Sequence, residues 1–261
     1  MCSSRSTKLI GAQSVLAWVM LVGFIVTAPL VAAGGAPPGL GAIEVVWLLL
    51  SGATTVAGLL LLYKALRVGK VSIVAPITST EGAIAAVLAV ATGEALGVGA
   101  GVALAVIAIG VVLASTVPGV GSGGSRHSTL LAGAAALCFG IGLYATARIS
   151  DALPLVWAVI PARGLGVVVV TLPLVVTRRL RITRAALPLV VTSGLGEIIG
   201  IALFGLGSRH GIAVTAVLAS QFAALSAVAA YFLFHERLTR LQLVGIIAIA
   251  IGVATLTAIQ A

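Results

Sequence analysis

The chain repeats itself at a fixed offset. Residues 58–116 lie over residues 200–258 without a gap when 142 is added. The register pairs Gly58 with Gly200, Arg67 with Arg209, Gly69 with Gly211, Ala85 with Ala227 and Glu94 with Glu236. It also pairs Leu96 with Leu238, Ile107 with Ile249, Gly110 with Gly252 and Val111 with Val253. A chance alternation of Ala, Val and Leu does not keep charged residues and glycines in step over such a distance. The duplication therefore requires the same helix, short acidic turn and next helix at equivalent points of two halves.

Composition decides the solvent of those halves. With 61% hydrophobic and only 8% charged residues, and a mean hydropathy of +1.27, the chain lacks the polar surface of a water-soluble domain. A membrane span needs roughly 20 mostly apolar residues. The sequence supplies such runs near 9–33, 41–62, 71–92, 97–117, 128–148, 153–176, 185–206, 212–233 and 241–259. The expected fold is an all-α integral membrane bundle of nine transmembrane helices. The first run is too long for a cleaved signal peptide and is followed at once by another span, so it reads as a bundle member. Cys2 and Cys138 have neither disulfide nor metal-ligand spacing, and Cys138 reads as a small packing residue.

The net charge of +9 must be read loop by loop. Arg5, Lys8, Lys64, Arg67, Lys70, Arg126, Arg178, Arg179, Arg181, Arg184, Arg237 and Arg240 fall on one side, Arg148 and Arg209 on the other, and Arg163 within a span. The crowded side is cytoplasmic by the positive-inside rule, with Met1 inside and Ala261 outside. These clusters read as topological signals rather than as lipid- or nucleic-acid-recognition sites, so no nucleic-acid partner is expected. Glu94 then lies in an external loop and Glu236 in a cytoplasmic one, which makes the two halves an inverted-topology repeat. Inverted helical repeats are characteristic of secondary transporters, in which two pseudo-symmetric halves open a central site alternately to each side.

The expected organisation is a first repeat over 1–117 with four helices, a connecting loop at 118–127 and a second repeat over 128–261 with five. The offset puts the counterpart of the helix at 128–148 near −14 to 6, so the first half is one helix short of the second.

Two stretches carry a family resemblance. Gly58 to Thr116 reads GLLLLYKALRVGKVSIVAPITSTEGAIAAVLAVATGEALGVGAGVALAVIAIGVVLAST, and Gly200 to Ala258 includes FLFHERLTRLQLVGIIAIAIGVATLTA. Both resemble the small-residue helix, Gly-Glu-type turn and Gly-containing final helix of the drug/metabolite transporter superfamily, specifically its group with two EamA-type domains. The resemblance implies a 5+5 inverted bundle in the cytoplasmic membrane that moves small polar metabolites or drugs, often as a proton-linked exporter. It implies no cofactor. The sequence departs from the pattern in its short first half and in Pro76, whose counterpart is Leu218. The family is usually drawn with both termini cytoplasmic, whereas the loop charges place Ala261 outside.

Ionisable groups deep in a bilayer are costly and normally face a partner or an aqueous cavity. Glu81, Arg163 and Glu197 fall near the middles of their spans. The functional reading makes the carboxylates proton carriers and Arg163 a binder of an anionic substrate group. The bland reading makes Arg163 and a glutamate a buried pair that only holds helices together. Neither glutamate is duplicated, since the offset partners of Glu81 and Glu197 are Ala223 and Thr55. Pro76, Thr78, Ser79 and Thr80 precede Glu81, and a proline beside hydroxyls frees backbone carbonyls that suit a cavity wall. Tyr144, Ser220 and Gln221 are further candidates for that wall, or else ordinary interhelical hydrogen-bonding residues. Glu94 and Glu236 read as turn residues, and Glu44 as an interfacial carboxylate.

Two other functional classes compete with a transporter. A membrane enzyme acting on a lipid-linked substrate would use Glu81, Glu197 or His210, but His127, His210 and His235 lie near loops without metal-ligand spacing, and no nucleophile–base constellation is recognisable. A structural or regulatory membrane subunit would need the midplane polar residues only to pair. The transporter reading takes a small-molecule substrate, membrane lipid and protons as its partners.

Overall fold

The computed structural model describes residues 10–35, 37, 40–69, 74, 77–115, 126–221 and 239–260. Among the described residues the chain is helical throughout: α1 (Ala12–Gly34), α2 (Ala42–Val68), α3 (Glu81–Ala91), α4 (Val98–Ser115), α5 (Arg126–Ala152), α6 (Leu155–Val176), α7 (Leu187–Ser208), α8 (Ile212–Ala219) and α9 (Arg240–Gln260). These elements take up the nine expected spans in order, as an all-α membrane bundle. Pro76, His235, Glu236 and the later part of the eighth span lie outside the described residues.

Helices α1, α2, α5, α6 and α7 are each long and apolar enough to cross a bilayer. Their outer faces carry large apolar side chains such as Ile25, Leu30, Ile43, Leu49, Leu130 and Leu203, all more than half exposed. That pattern suits lipid and would be unstable in water.

The chain forms two compact units that interleave in sequence: residues 1–56 with 145–210, and residues 57–144 with 211–261. Each unit therefore draws on both repeats, and α2 and α5 pass from one unit to the other.

In the first unit α1 packs against α6 and α7. Ile10, Val15, Val19, Ala186 and Val190 form one buried cluster, with Trp18 against it, and Ile149, Leu153 and Ala158 form another beside Trp47 and Trp157. Deep in this unit the hydroxyls of Ser51 and Thr146 lie 2.7 Å apart, joining α2 to α5. Helix α6 contains a π turn over Val167–Thr171, where the Leu172 N–H reaches back to the Val167 carbonyl. Pro173 follows and has no N–H to return to the ladder, which explains why the winding loosens there. The Thr171 hydroxyl closes the gap by donating to the Ala17 carbonyl of α1 at 3.0 Å.

In the second unit α4 packs along α9, its counterpart in the repeat. A Cβ added to Gly110 would lie 2.8 Å from the Gly245 carbonyl oxygen and 2.9 Å from Ile249, and one added to Gly252 would lie 2.5 Å from Ile107 and 3.1 Å from the Ala103 carbonyl oxygen. Gly110 and Gly252, Ile107 and Ile249, and Ala103 and Gly245 are 142-residue counterparts, so each contact has its mirror contact. Such reciprocity is the mark of a two-fold relation. Earlier residues of α4 meet later residues of α9, so the two helices run antiparallel, as an inverted repeat demands.

Candidate functional site

The second unit holds a polar turn beside a helix end at corresponding points of the two repeats. The expected span at 71–92 would carry Glu81 inside a continuous helix. Instead a turn at Ser79–Thr80 interrupts it, and α3 begins at Glu81. Helix α8 likewise stops at Ala219, with a turn at Ser220 and Gln221, the repeat counterparts of Thr78 and Ser79. The local cause is side-chain competition for backbone carbonyls. Thr78 Oγ1 donates to the Val74 carbonyl at 3.1 Å, Thr80 Oγ1 to the Ile77 carbonyl at 2.7 Å, and Ser220 Oγ to the Val217 carbonyl at 2.8 Å.

Small residues bring the two turns together. A Cβ on Gly82 would strike the Ala216 carbonyl oxygen and lie 2.6 Å from Ser220 Oγ, so only glycine permits this approach of α3 to α8. Gly140 does the same for α5, where a Cβ would lie 2.6 Å from Ile84 and 2.9 Å from the Glu81 carbonyl oxygen. Thr78, Ser79, Glu81, Ser220 and Gln221 thus gather at one level of the unit. Glu81 is half-buried, and among the described residues no hydrogen bond or ion pair reaches its carboxylate. The buried amide nitrogen of Gln221 also has no hydrogen-bond partner among them. A carboxylate and an amide left unfilled in a low-dielectric interior are costly unless something binds there. Tyr144 points elsewhere: its hydroxyl donates to Thr92 Oγ1 at 2.9 Å, at the far end of α3 from Glu81.

Arg163 and Glu197 meet in the first unit. Arg163 is 1% exposed on α6, and its Nη2 lies 3.0 Å from Glu197 Oε1 on α7. The contact misses the line of a good hydrogen bond, so its attraction is chiefly Coulombic; Nε has no hydrogen-bond partner among the described residues. Nη1 donates to the Met20 sulfur at 3.3 Å, and Gly23 makes room for the arginine stem, which a Cβ there would approach to 2.6 Å. Two of the three midplane charges therefore pair with each other, while Glu81 falls in the other unit.

Sequence reasoning missed the role of Glu94. Its carboxylate accepts the N–H groups of Ile212 at 3.0 Å and of Ala213 at 3.2 Å, capping the start of α8 from the turn between α3 and α4. The exposed helix donors and the helix dipole both favour an anion at that end. Arg209 acts in the opposite sense, donating from Nε to the Ser150 carbonyl near the end of α5 at 2.8 Å. Both residues are duplicated in the repeat, which was the available signal. Beside α3 an apolar groove of about 510 Å³ is lined by Ala83, Ala86, Val90, Leu104, Ala108 and Val217 among others, a volume of small-molecule size.

Residues 1–116 match the model of the EamA-like transporter family. No curated protein matches the chain. A solved structure described only as "Crystal structure of protein" superposes with a TM-score of 0.78, at 15% sequence identity, over 98% of this chain and 91% of that one, a likeness that establishes the fold alone. The matched stretch is of the EamA type, consistent with the drug/metabolite transporter superfamily, and the protein is a multi-pass membrane protein with transporter relatives.

Proposed function

We propose that the chain is a secondary transporter of the EamA type with a second, diverged EamA domain in its later half, working by alternating access in the cytoplasmic membrane. It exports small polar metabolites or drugs in exchange for protons. The observation that carries this reading is the polar turn that lies beside a helix end at corresponding points of the two repeats, Ser79–Thr80 before α3 and Ser220–Gln221 after α8. Helix ends with freed backbone groups and polar side chains at matching points of two inverted halves are where substrate and coupling ions can be held.

Glu81 is the proton carrier in this reading, since among the described residues no cation pairs with its carboxylate, which can take up and release a proton with the change of access. Thr78, Ser79, Ser220 and Gln221 contribute donors and acceptors for the polar part of a substrate, and the groove beside α3 receives an apolar part. Arg163 binds an anionic substrate group in competition with Glu197, which at 39% exposure is the more accessible member of the pair.

Proton movement in liposomes containing purified protein tests the proposal, with wild type beside Glu81→Gln and Glu197→Gln and with small amino acids, related metabolites and cationic drugs added in turn. Substrate-dependent proton flux that Glu81→Gln abolishes, in a variant that still folds and inserts, is the expected result. Undiminished flux in Glu81→Gln removes that residue from the carrier role. Substrate uptake without proton movement in wild type overturns the coupling.

A further inference from the structure

Between α6 and α7 the chain makes a short loop, residues 177–186, with four arginines: Arg178, Arg179, Arg181 and Arg184. All four side chains are exposed, and among the described residues none forms an ion pair or donates a side-chain hydrogen bond. A loop that only marks the positive side of a membrane needs charge but no fixed geometry. This one has both.

Its backbone is held at each end and in the middle. Helix α6 closes with the Arg178 N–H on the Val175 carbonyl at 3.0 Å and the Arg179 N–H on the Leu174 carbonyl at 2.9 Å. That pairing requires a left-handed residue at position 178, and Arg178 has φ 53°. Glycine is the usual occupant of such a position because a Cβ crowds the following carbonyl. In mid-loop the Arg181 N–H donates to Ser14 Oγ at 3.3 Å, while its carbonyl accepts the Trp18 indole N–H at 3.0 Å, so α1 clamps the loop. At the far end the Ala186 N–H bonds Thr183. Trp18 sits in the second turn of α1, where an amphipathic ring suits the membrane–water interface.

From these features we infer that the loop is a docking surface for the phosphate headgroups of anionic phospholipids in the leaflet on the arginine-rich side. The fixed backbone presents four exposed guanidiniums, unpaired among the described residues, at headgroup level, and guanidinium binds phosphate through paired N–H donors. Arginine at the strained position 178 is accounted for by the headgroup it holds, where glycine would serve the turn better.

Thermal unfolding of purified protein in nanodiscs of phosphatidylcholine, alone or with phosphatidylglycerol, tests the inference together with lipid retention measured by native mass spectrometry. Wild type should melt higher with phosphatidylglycerol and retain it in preference to phosphatidylcholine. Arg178→Gly should melt about 2 °C higher than wild type in phosphatidylcholine, because the turn is relieved. The same variant should hold phosphatidylglycerol roughly fivefold more weakly, as expected for one basic residue near an anionic surface. Replacing all four arginines by glutamine should remove most of the preference, whereas Arg126→Gln, at an exposed arginine of the same side, should leave it. Should the fourfold variant not fold, Arg178→Gly and Arg184→Gln decide by the same comparison. An equal phosphatidylglycerol effect in wild type and loop variants overturns the inference. So does equal stabilisation by inorganic phosphate in detergent, which would make the loop a free-anion site.

Discussion

Replacing Glu197 by Gln takes the counter-charge from a guanidinium that is 1% exposed. Breaking a buried ion pair by removing one partner costs about 3–5 kcal/mol when both ions are dry. Glu197 sits near the middle of its span, away from bulk water, so the expected loss lies within that range, at about 3 kcal/mol. The reverse substitution, Arg163→Met, keeps a long unbranched side chain against Gly23 and leaves a carboxylate that can neutralise itself by taking up a proton, so it should cost about 1 kcal/mol. The double variant Arg163→Met with Glu197→Gln should recover most of the loss, because an apolar group of similar shape replaces a charge that needed a partner. In thermal melts of the purified protein, 1 kcal/mol corresponds to a shift of about 2–4 °C for a chain of this size. The order from most to least stable should be wild type, double variant, Arg163→Met and Glu197→Gln. Equal stability of Glu197→Gln and wild type, or a double variant whose loss is the sum of the single ones, would refute the claim that the two residues compensate each other.

Other substitutions test the packing that builds the site. Glu94→Ala should lower stability by about 1–2 kcal/mol through loss of the α8 cap, seen as a lower melting temperature, with Glu94→Gln falling between. Gly110→Val and Gly252→Val should destabilise by similar amounts, about 1–3 kcal/mol each, because their contacts mirror one another, whereas Gly101→Ala, with open space around it, should be neutral or stabilising by up to about 1 kcal/mol. A large difference between the two valine variants in chemical or thermal unfolding would break the two-fold relation. Thr171→Val should cost about 0.6 kcal/mol through the lost bond to the Ala17 carbonyl and should be read in the same melts.

Much of the architecture is legible in the sequence because each bilayer-spanning helix must satisfy its own backbone and carry its own apolar surface. Those demands are local, so hydropathy locates the spans within a few residues and the 142-residue register identifies α4 and α9 as counterparts. Hydropathy failed inside the third span. An averaged hydropathy passes over the turn at Ser79–Thr80, where threonine hydroxyls take up carbonyls that a continuous helix would use; only the residue types from Pro76 to Thr80 pointed to it. It also failed to separate Glu81 from Glu197. The two look alike in the sequence, yet one pairs with an arginine and the other meets no cation among the described residues.

The sequence alone determined the solvent, the helical class, the sidedness of charge and the duplication, since all four follow from residue type and spacing along one chain. Only the tertiary structure decided who meets whom. The cap from Glu94 to Ile212 spans 118 residues, and the clamp from Trp18 to Arg181 spans 163. The pairing of Arg163 with Glu197 depends on which faces α6 and α7 turn to each other. In the other unit glycine contacts choose the facing surfaces, as at Gly82, Gly140, Gly110 and Gly252, because in lipid one apolar side chain attracts another hardly more than it attracts an acyl chain. Close fit between helices, which no local pattern encodes, therefore selects the partners.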